Sequence, residues 1–441
     1  MTMSAKERAG LTVAIETHGC KLNQADTLML ARTFAEAGFR HVDTGEGADV
    51  YVVNSCTVTH VADRKARHSL RAARRRNPGA TIVATGCYAQ RSPDELRELE
   101  EIDLVIGNAD KSTLVRQVIE WMGLPDTVPP IGDAGRPAPA PAARIRAMVK
   151  IQEGCDQVCA YCIVPKVRGR ERSIPVKQVV EEVTRLVAEG YMEVVLTGTQ
   201  LGTYGFEWPG VSLRGLIQAV LSETGAPRLR VSSLQPQEID RALLECWSDK
   251  RLCPHFHLPL QSGSAGILKS MRRRYTPSGY AEAVELIRDR VPRASITADV
   301  IVGFPGETDE DFERTYDLCE SLEFADMHVF PYSIRPGTTA AHLSGQLSPS
   351  VKTLRVRRLL ELAKRQSMAF RLGLLGESRS VLWETHAASS FDVGEGRRWS
   401  GLTEDYIRVA AIDARELANR FTRVRLTSVN EGCVMAEVLC P

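Results

Sequence analysis

The sequence predicts an α/β chain in three parts: an N-terminal parallel α/β domain, a central barrel-like parallel sheet, and a small all-β barrel at the C-terminal end. Three observations predict it. Short apolar runs alternate with amphipathic stretches over residues 11–120, the pattern of parallel strands joined by helices. After a Pro-rich break the alternation resumes as six βα units, fewer than the eight of a full barrel. The end of the chain carries β-rich pieces and few helix signals.

In the first part, taken as residues 11–124, Leu11–Glu16, Val50–Val53 and Thr81–Ala84 read as buried strands, and Asp26–Ala37 and Ser92–Leu99 as helices. Residues 125–143, dominated by Pro, Gly and Ala, read as a semi-extended linker. In the central part, residues 144–373, the expected strands are Ala147–Gln152, Glu193–Thr197, Arg228–Ser232, His255–Leu260, Ile296–Val302 and Met327–Pro331. A long basic helix, Val351–Arg371, closes it near Gly373. In the tail, residues 374–441, Ser378–Trp383, Ile407–Ala411 and Phe421–Leu426 are expected to be strands.

The 441 residues are 43% hydrophobic, enough for more than one core, and the formal net charge is only +1. Nucleic-acid binding therefore has to come from local basic patches. The first ten residues lack the apolar region of a secretory signal, and no apolar run approaches the ~18 residues of a membrane helix. A cytoplasmic location and no membrane partner are expected. In that reducing compartment eleven cysteines read as metal ligands and buried thiols rather than disulfides.

Cys155, Cys159 and Cys162 follow the first strand of the central part at Cys-x3-Cys-x2-Cys spacing. Three thiolates within eight residues can grip one face of a four-iron cluster. A structural zinc site would want a fourth ligand and a closed tetrahedron. Three ligands leave one iron open, able to bind the amino and carboxylate groups of S-adenosylmethionine. A zinc knuckle or a redox CxxC are the alternatives. Other strand exits support a ligand crevice at the carboxyl ends of the strands: Gly198, where backbone can approach a ligand, Ser232 and Ser233, which can reach ribose hydroxyls, and Gly303. Each also fits an ordinary βα turn.

Cys20, Cys56 and Cys87 are far apart in sequence but share a context, each a short turn after an expected strand. In a parallel sheet such positions meet on one edge, so the three thiols should converge and can hold a second cluster with one open iron. The bland alternative is three buried structural cysteines. Cys246, Cys253, Cys319, Cys433 and Cys440 show no ligand spacing.

The first motif, with Tyr161 before its last cysteine, resembles the radical S-adenosylmethionine (radical SAM) superfamily. With both cysteine sets placed, residues 11–441 resemble the methylthiotransferases. The resemblance rests on His18–Gln24, Val53–Thr59, Gly86–Gln90, Lys150–Cys155, His257–Gly263 and Asp299–Thr308. His18 departs from the pattern, standing where an apolar residue is expected. The resemblance implies a partial (β/α)6 radical SAM barrel and a C-terminal TRAM barrel that binds RNA. It implies two [4Fe–4S] clusters and S-adenosylmethionine as cofactors, Tyr161 near the adenine, and Gln261 among the cofactor-binding residues. One S-adenosylmethionine would methylate sulfur at the second cluster. Another would be cleaved at the first to a 5′-deoxyadenosyl radical that activates a C–H bond. A reductant such as a flavodoxin or ferredoxin is implied, and DNA is not a partner.

Within the family the sequence most resembles the branch acting on N6-threonylcarbamoyladenosine beside the tRNA anticodon, position 37, through Thr57–Arg67, Gly86–Gln90 and Gly169–Ser173. The other branches act on isopentenyladenosine in tRNA and on an aspartate of a small-subunit ribosomal protein. A threonylcarbamoyl group carries a carboxylate, best read by a bidentate Arg. Arg64–Arg76 holds seven Lys/Arg and no acid. Arg64 or Lys65 is therefore the candidate reader of the base, and Arg71, Arg74, Arg75 and Arg76 are candidates for phosphates, against the alternative of a solvated helix face. Arg272–Arg274 and the helix bearing Lys352, Arg355, Arg357, Arg358, Lys364 and Arg365 are further basic candidates. Trp383, Trp399, Tyr406 and Phe421 offer base stacking, with core packing as the alternative. A third class of reading, a non-catalytic iron–sulfur or zinc protein that binds RNA, predicts clusters that never cleave S-adenosylmethionine.

Overall fold

The structure is a computed structural model that describes residues 10–125, 145–386, 396–430 and 432–439. Nearly all of the expected linker, 125–143, lies outside these residues, as do the first nine residues and Cys440.

The N-terminal sheet has the order β2-β1-β3-β4-β5, all parallel. It is built from β1 (Thr12–Thr17), α1 (Lys21–Glu36), β2 (Arg40–His41), β3 (Val50–Ser55), α2 (His60–Arg76), β4 (Thr81–Gly86), α3 (Cys87–Arg91), α4 (Pro93–Arg97), β5 (Leu104–Ile106) and α5 (Leu114–Trp121). The central strands β3 and β4 are buried at every position, as a sheet covered on both faces requires. Thr59 caps α2 by accepting from the Ala62 amide, and Arg74, Arg75 and Arg76 sit in its last turn, where the helix dipole favours cations. Helix α1 starts five residues before the sequence reading placed it, with Cys20 in the N-cap position.

The central domain runs β6 (Arg146–Lys150), β7 (Gln152–Glu153), α6 (Val164–Arg168), β8 (Arg172–Ser173), α7 (Val176–Ala188), β9 (Glu193–Thr197), α8 (Leu213–Glu223), β10 (Arg228–Val231), α9 (Arg241–Leu244), β11 (His255–His257), α10 (Ala265–Ser270), α11 (Pro277–Arg290), β12 (Ser295–Val302), α12 (Asp309–Leu322), β13 (Asp326–Pro331) and α13 (Pro349–Leu372). Two parallel three-stranded sheets, β10-β9-β6 and β11-β12-β13, are joined by single bridges such as Ser233 to His257. The result is an open barrel whose edge strands are β6 and β13. One face of each strand packs on the surrounding helices through Val149, Val194, Leu196, Phe256, Ala298 and Val300. The alternate, lumen-facing positions include the polar residues Arg146, Glu193, Arg230, His257 and Asp299.

The tail closes into a five-stranded barrel, β14-β15-β16-β18-β17, from β14 (Ser378–His386), β15 (Arg397–Thr403), β16 (Arg408–Asp413), β17 (Phe421–Asn430) and β18 (Cys433–Val438). Trp383 and Trp399 are fully buried in its core, so packing, not base stacking, is their role. Tyr406 and Phe421 also turn inward, against the central domain: Tyr406 stacks on His255 at 4.7 Å, and the Arg228 guanidinium lies 4.5 Å over Phe421.

Glu193 forms the floor of the central lumen. Its side chain has no exposure and meets Arg146 (3.0 Å), Arg230 (2.8 Å) and Arg228 (3.5 Å). The same arginines reach the small barrel: Arg146 pairs with Glu384 at 2.7 Å, and Arg228 and Arg230 donate to the carbonyls of Leu402 and Glu404. Among the described residues no helix is long and apolar enough to cross a membrane.

Candidate active site

The first cysteine trio lies on the loop after β7. Gly154 opens that loop with φ +75°, and a side chain there would meet the Arg170 carbonyl at 2.0 Å, so only glycine lets the loop close on Gly169–Arg170. The Cys162 amide donates to the Cys159 carbonyl (3.1 Å), and the Gln157 amide to the Cys155 sulfur (3.4 Å). Arg273 donates to Cys159 Sγ at 3.4 Å and to Gln235 Oε1 at 3.0 Å. This corrects the placement of Arg273 among RNA-facing residues: its charge is spent on a thiol. Burial pushes Cys155 up to about 11 and Cys162 up to about 12, and both feel Cys159. Such thiols are protonated at neutral pH until a metal displaces the protons.

The second trio converges as the parallel topology requires. Cys20, Cys56 and Cys87 stand at the carboxyl ends of the adjacent strands β1, β3 and β4. Gly19, at φ +116°, lies so close to Cys56 that an added Cβ would be 2.6 Å from the Cys56 Cβ. Burial, then Cys87 and Cys20, push Cys56 up to about 12. His18 is held by Ser69 (3.0 Å) and Glu16 (3.0 Å), which fixes the turn before Cys20 without an apolar residue. Among the described residues neither trio is gathered tightly enough to hold a single metal ion, whereas thiolates on one tetrahedral zinc would lie about 3.8 Å apart; three ligands per site suit a cluster with one open iron.

The second trio packs against the chain that follows the first. Cys87 packs in one buried group with Ile163, which directly follows Cys162, and with Val167 one turn further along α6. Asn108 Nδ2 donates both to Cys87 Sγ (3.5 Å) and to the Val167 carbonyl (2.8 Å). Beside this contact Asp26, with no exposed side-chain surface, pairs with Lys111 (2.9 Å), Lys150 (2.8 Å) and Arg168 (3.2 Å), which hold its carboxyl well below the usual range. Arg168 also donates to Asn23 (2.6 Å) and Glu153 (2.7 Å). This knot ties α1, whose N-cap is Cys20, to α6, which follows Cys162.

Segments after β9 and β11 and the residue before β8 carry buried oxygens without protein partners: Thr199 Oγ1, Gln261 Oε1 and Glu171 Oε1. Gln261 is held at φ +65°. These atoms fit a polar cofactor such as S-adenosylmethionine. Tyr161 packs beside Phe304 and Met271 in a small core next to the loop. At Gly198 a Cβ would meet the Leu201 side chain at 2.6 Å, so this turn is closely packed. Gly303, at φ +72°, leaves room for Lys352, and its amide is taken by Glu307 at 2.6 Å. Ser232 is buried, and its amide donates to the Leu196 carbonyl at 3.0 Å. Ser233 Oγ is engaged by His257 Nδ1 at 2.6 Å.

The basic candidates divide. Arg64 and Lys65 are exposed, and Arg64 borders a cavity of about 440 Å³ with His60, Arg67 and Arg91. Arg75 is exposed too. Arg71 pairs with Glu101 (3.5 Å) and Arg74 with Asp103 (2.6 Å). On α13, Arg355 is buried against Glu307 (2.7 Å) and Arg358 pairs with Glu313 (2.5 Å), so that helix turns much of its charge onto α12 and its entry loop.

Residues that no local signal flagged complete the site. Arg335, only 1% exposed, pairs with Asp63 (2.6 Å) and donates to the Thr57 carbonyl beside Cys56. In the lumen, Asp299 Oδ1 is hydrogen-bonded to His328 Nδ1 at 3.1 Å and lies 3.1 Å from His257 Nε2, and Lys21 projects toward them from α1. Arg335, Asp299 and His328 sit in distant segments, with nothing in their spacing to join them.

Residues 12–107 match the uncharacterized protein family UPF0004, and residues 149–319 the radical SAM superfamily. The chain is 42% identical to the threonylcarbamoyladenosine tRNA methylthiotransferase MtaB of Aquifex aeolicus, over 82% of this chain and 90% of that one. It is 35% identical to the protein of that name in Bacillus subtilis, over 96% of each chain. It is also 34% identical to a tRNA-2-methylthio-N(6)-dimethylallyladenosine synthase of Moorella thermoacetica, over 98% of this chain and 99% of that one. Among solved structures, the radical S-adenosylmethionine methyltransferase TsrM of Kitasatospora setae shares the fold, with a TM-score of 0.56 and 16% identity over 75% of this chain and 76% of that chain.

Proposed function

Because the chain belongs to the radical SAM methylthiotransferases, transferases that use S-adenosylmethionine and iron–sulfur clusters, we propose that it adds a methylthio group to C2 of N6-threonylcarbamoyladenosine at position 37 of tRNA. The observation that carries the chemistry is the apposition of two cysteine trios across the Cys87–Ile163 contact. When bound, the clusters supply the electron that cleaves S-adenosylmethionine and the sulfur that is methylated and transferred. On this reading Cys155, Cys159 and Cys162 hold the cleaving cluster, with Arg273 fixing Cys159. Cys20, Cys56 and Cys87 hold the sulfur-donating one. Gln261, Thr199 and Tyr161 line the cofactor side, and exposed Arg64, Lys65 and Arg75 meet the anticodon arm. A flavodoxin- or ferredoxin-type protein supplies electrons.

The substrate reading is supported by relatives of that name at 35–42% identity. The dimethylallyl substrate is the second reading, supported by relatives at 33–35% identity. Mass spectrometry of tRNA nucleosides from a strain lacking the gene separates them. Loss of the methylthio-threonylcarbamoyl nucleoside, with its precursor retained, supports the first reading. Its persistence, with loss of the dimethylallyl derivative, replaces it by the second. Persistence of both directs attention to the ribosomal-protein aspartate.

A further inference from the structure

Resting on the threonylcarbamoyl reading, we propose that Lys21, with His328 beside it, forms the subsite in the barrel lumen that binds the substrate carboxylate. Four observations converge on this pair. The central barrel is open between β6 and β13, and α1 lies across that opening, packed on β6 through the Asp26–Lys150 pair. Lys21 is the first residue of α1, and its ammonium reaches into the lumen, 6.0 Å from the centre of the Tyr406 ring and close enough to act on His255, His328 and Asp299. The carboxylates around it are already engaged: Glu193 by three arginines and Asp299 by two histidines. Among the described residues no carboxylate lies within 4.0 Å of the Lys21 ammonium. A half-buried cation among other cations, lacking a counter-ion, is a site for an anion. Finally, the wall opposite is accessible: the His328 side chain is 60% exposed and the Phe330 ring, on the same strand face, stands open for a base to stack on.

The chemistry of the base fits this geometry. In adenine, C2 and the N6 substituent flank N1 on a single edge. A base presented with C2 toward the two trios therefore sends its N6 substituent into the same lumen. Because Lys21 directly follows Cys20, the carboxylate reader would be one residue from the sulfur-donating centre. His257, Asp299 and His328 could by spacing alone hold a cation. The neighbouring Lys21 and Arg230 oppose that, and favour Asp299 as the group that orients His328 toward an anion.

The test uses the reconstituted holoenzyme and anticodon stem-loop RNA carrying either N6-threonylcarbamoyladenosine or its methyl ester. Wild type is expected to favour the acid by at least about tenfold in kcat/KM, the value of one charge-assisted contact. Lys21→Met should lose that preference and Lys21→Arg should keep it. The acid-to-ester ratio is taken within one preparation, so incomplete cluster loading cancels. Should Lys21→Met be inactive on both RNAs, the same ratio is read from their dissociation constants. A wild type indifferent to esterification, a Lys21→Met variant that still prefers the acid, or loss of the preference in Arg64→Ala instead would each overturn the inference and leave the substrate reading standing. A wild type that turns over neither RNA but accepts the dimethylallyl one would overturn the substrate reading itself.

Discussion

Replacing Glu193 by Gln keeps the shape of the side chain and removes its charge. The carboxylate meets Arg146, Arg230 and Arg228 at 3.0, 2.8 and 3.5 Å with no solvent contact, and these arginines hold its pKa down to about 2. Against an ordinary value near 4.5 that depression corresponds to about 3 kcal/mol. Breaking a buried ion pair by removing one partner costs about 3–5 kcal/mol, because the survivors stay buried and uncompensated. The two figures agree, and together they predict a fall of roughly 10 °C in the melting of the central domain. Because the folded pKa is depressed, the stabilisation is present above about pH 4.5 and fades as pH falls toward 2. Calorimetry of both proteins across that range should show the variant losing the acid-limb slope as well as the height of the curve. The same arginines hold the C-terminal barrel through Glu384, Leu402 and Glu404, so proteolysis near residues 373–377 should accelerate. A shift of under about 2 °C with an unchanged acid limb would refute the argument.

Three further outcomes are expected. Cys→Ala at Cys155, Cys159 or Cys162 should abolish deoxyadenosine formation, whereas the change at Cys20, Cys56 or Cys87 should spare it and stop sulfur insertion; methylthiolated product from any of the second set would end the two-cluster assignment. Gly19→Ala, which puts a Cβ 2.6 Å from that of Cys56 at φ +116°, should cut the iron bound at the second trio with little change at the first, as iron analysis and visible absorption can show. Burial raises Glu238 to about 7, so its contribution favours the fold below about pH 4.5 and is lost as pH rises through 7. Glu238→Gln should therefore flatten urea stability between those values and gain up to about 3 kcal/mol at pH 8; an unchanged slope would show that Glu238 is ionised without cost.

What the sequence made legible follows from how local each signal is. The strand–turn–Cys contexts of Cys20, Cys56 and Cys87 implied convergence because parallel pairing forces strand ends together, and β1, β3 and β4 do pair side by side. The six central strands were visible as apolar runs because their helix-facing residues are buried. Strand β15 was missed: Ser400 and Gly401 break its alternation, yet glycine is needed there because a Cβ at Gly401 would meet the Leu382 carbonyl at 2.5 Å. The start of α1 was missed because Cys20 is not a usual cap. Basic residues misled most. Arg273 and Arg355 look like phosphate ligands in sequence, but their partners, Cys159 and Glu307, lie 114 and 48 residues away. The lumen was invisible for the same reason, since Lys21, Asp299 and His328 come from three separate segments.

The Asp26 knot has a consequence for timing and reach. Lys111, Lys150 and Arg168 converge on one desolvated carboxylate, and pulling any of them away would strand a charge out of water, an excursion too costly for routine thermal motion. The N-terminal and central domains are therefore held together at this point through Lys150 and Arg168. On the proposed reading the two trios keep one separation, and the target nucleoside has to come to them, flipped out of its stack.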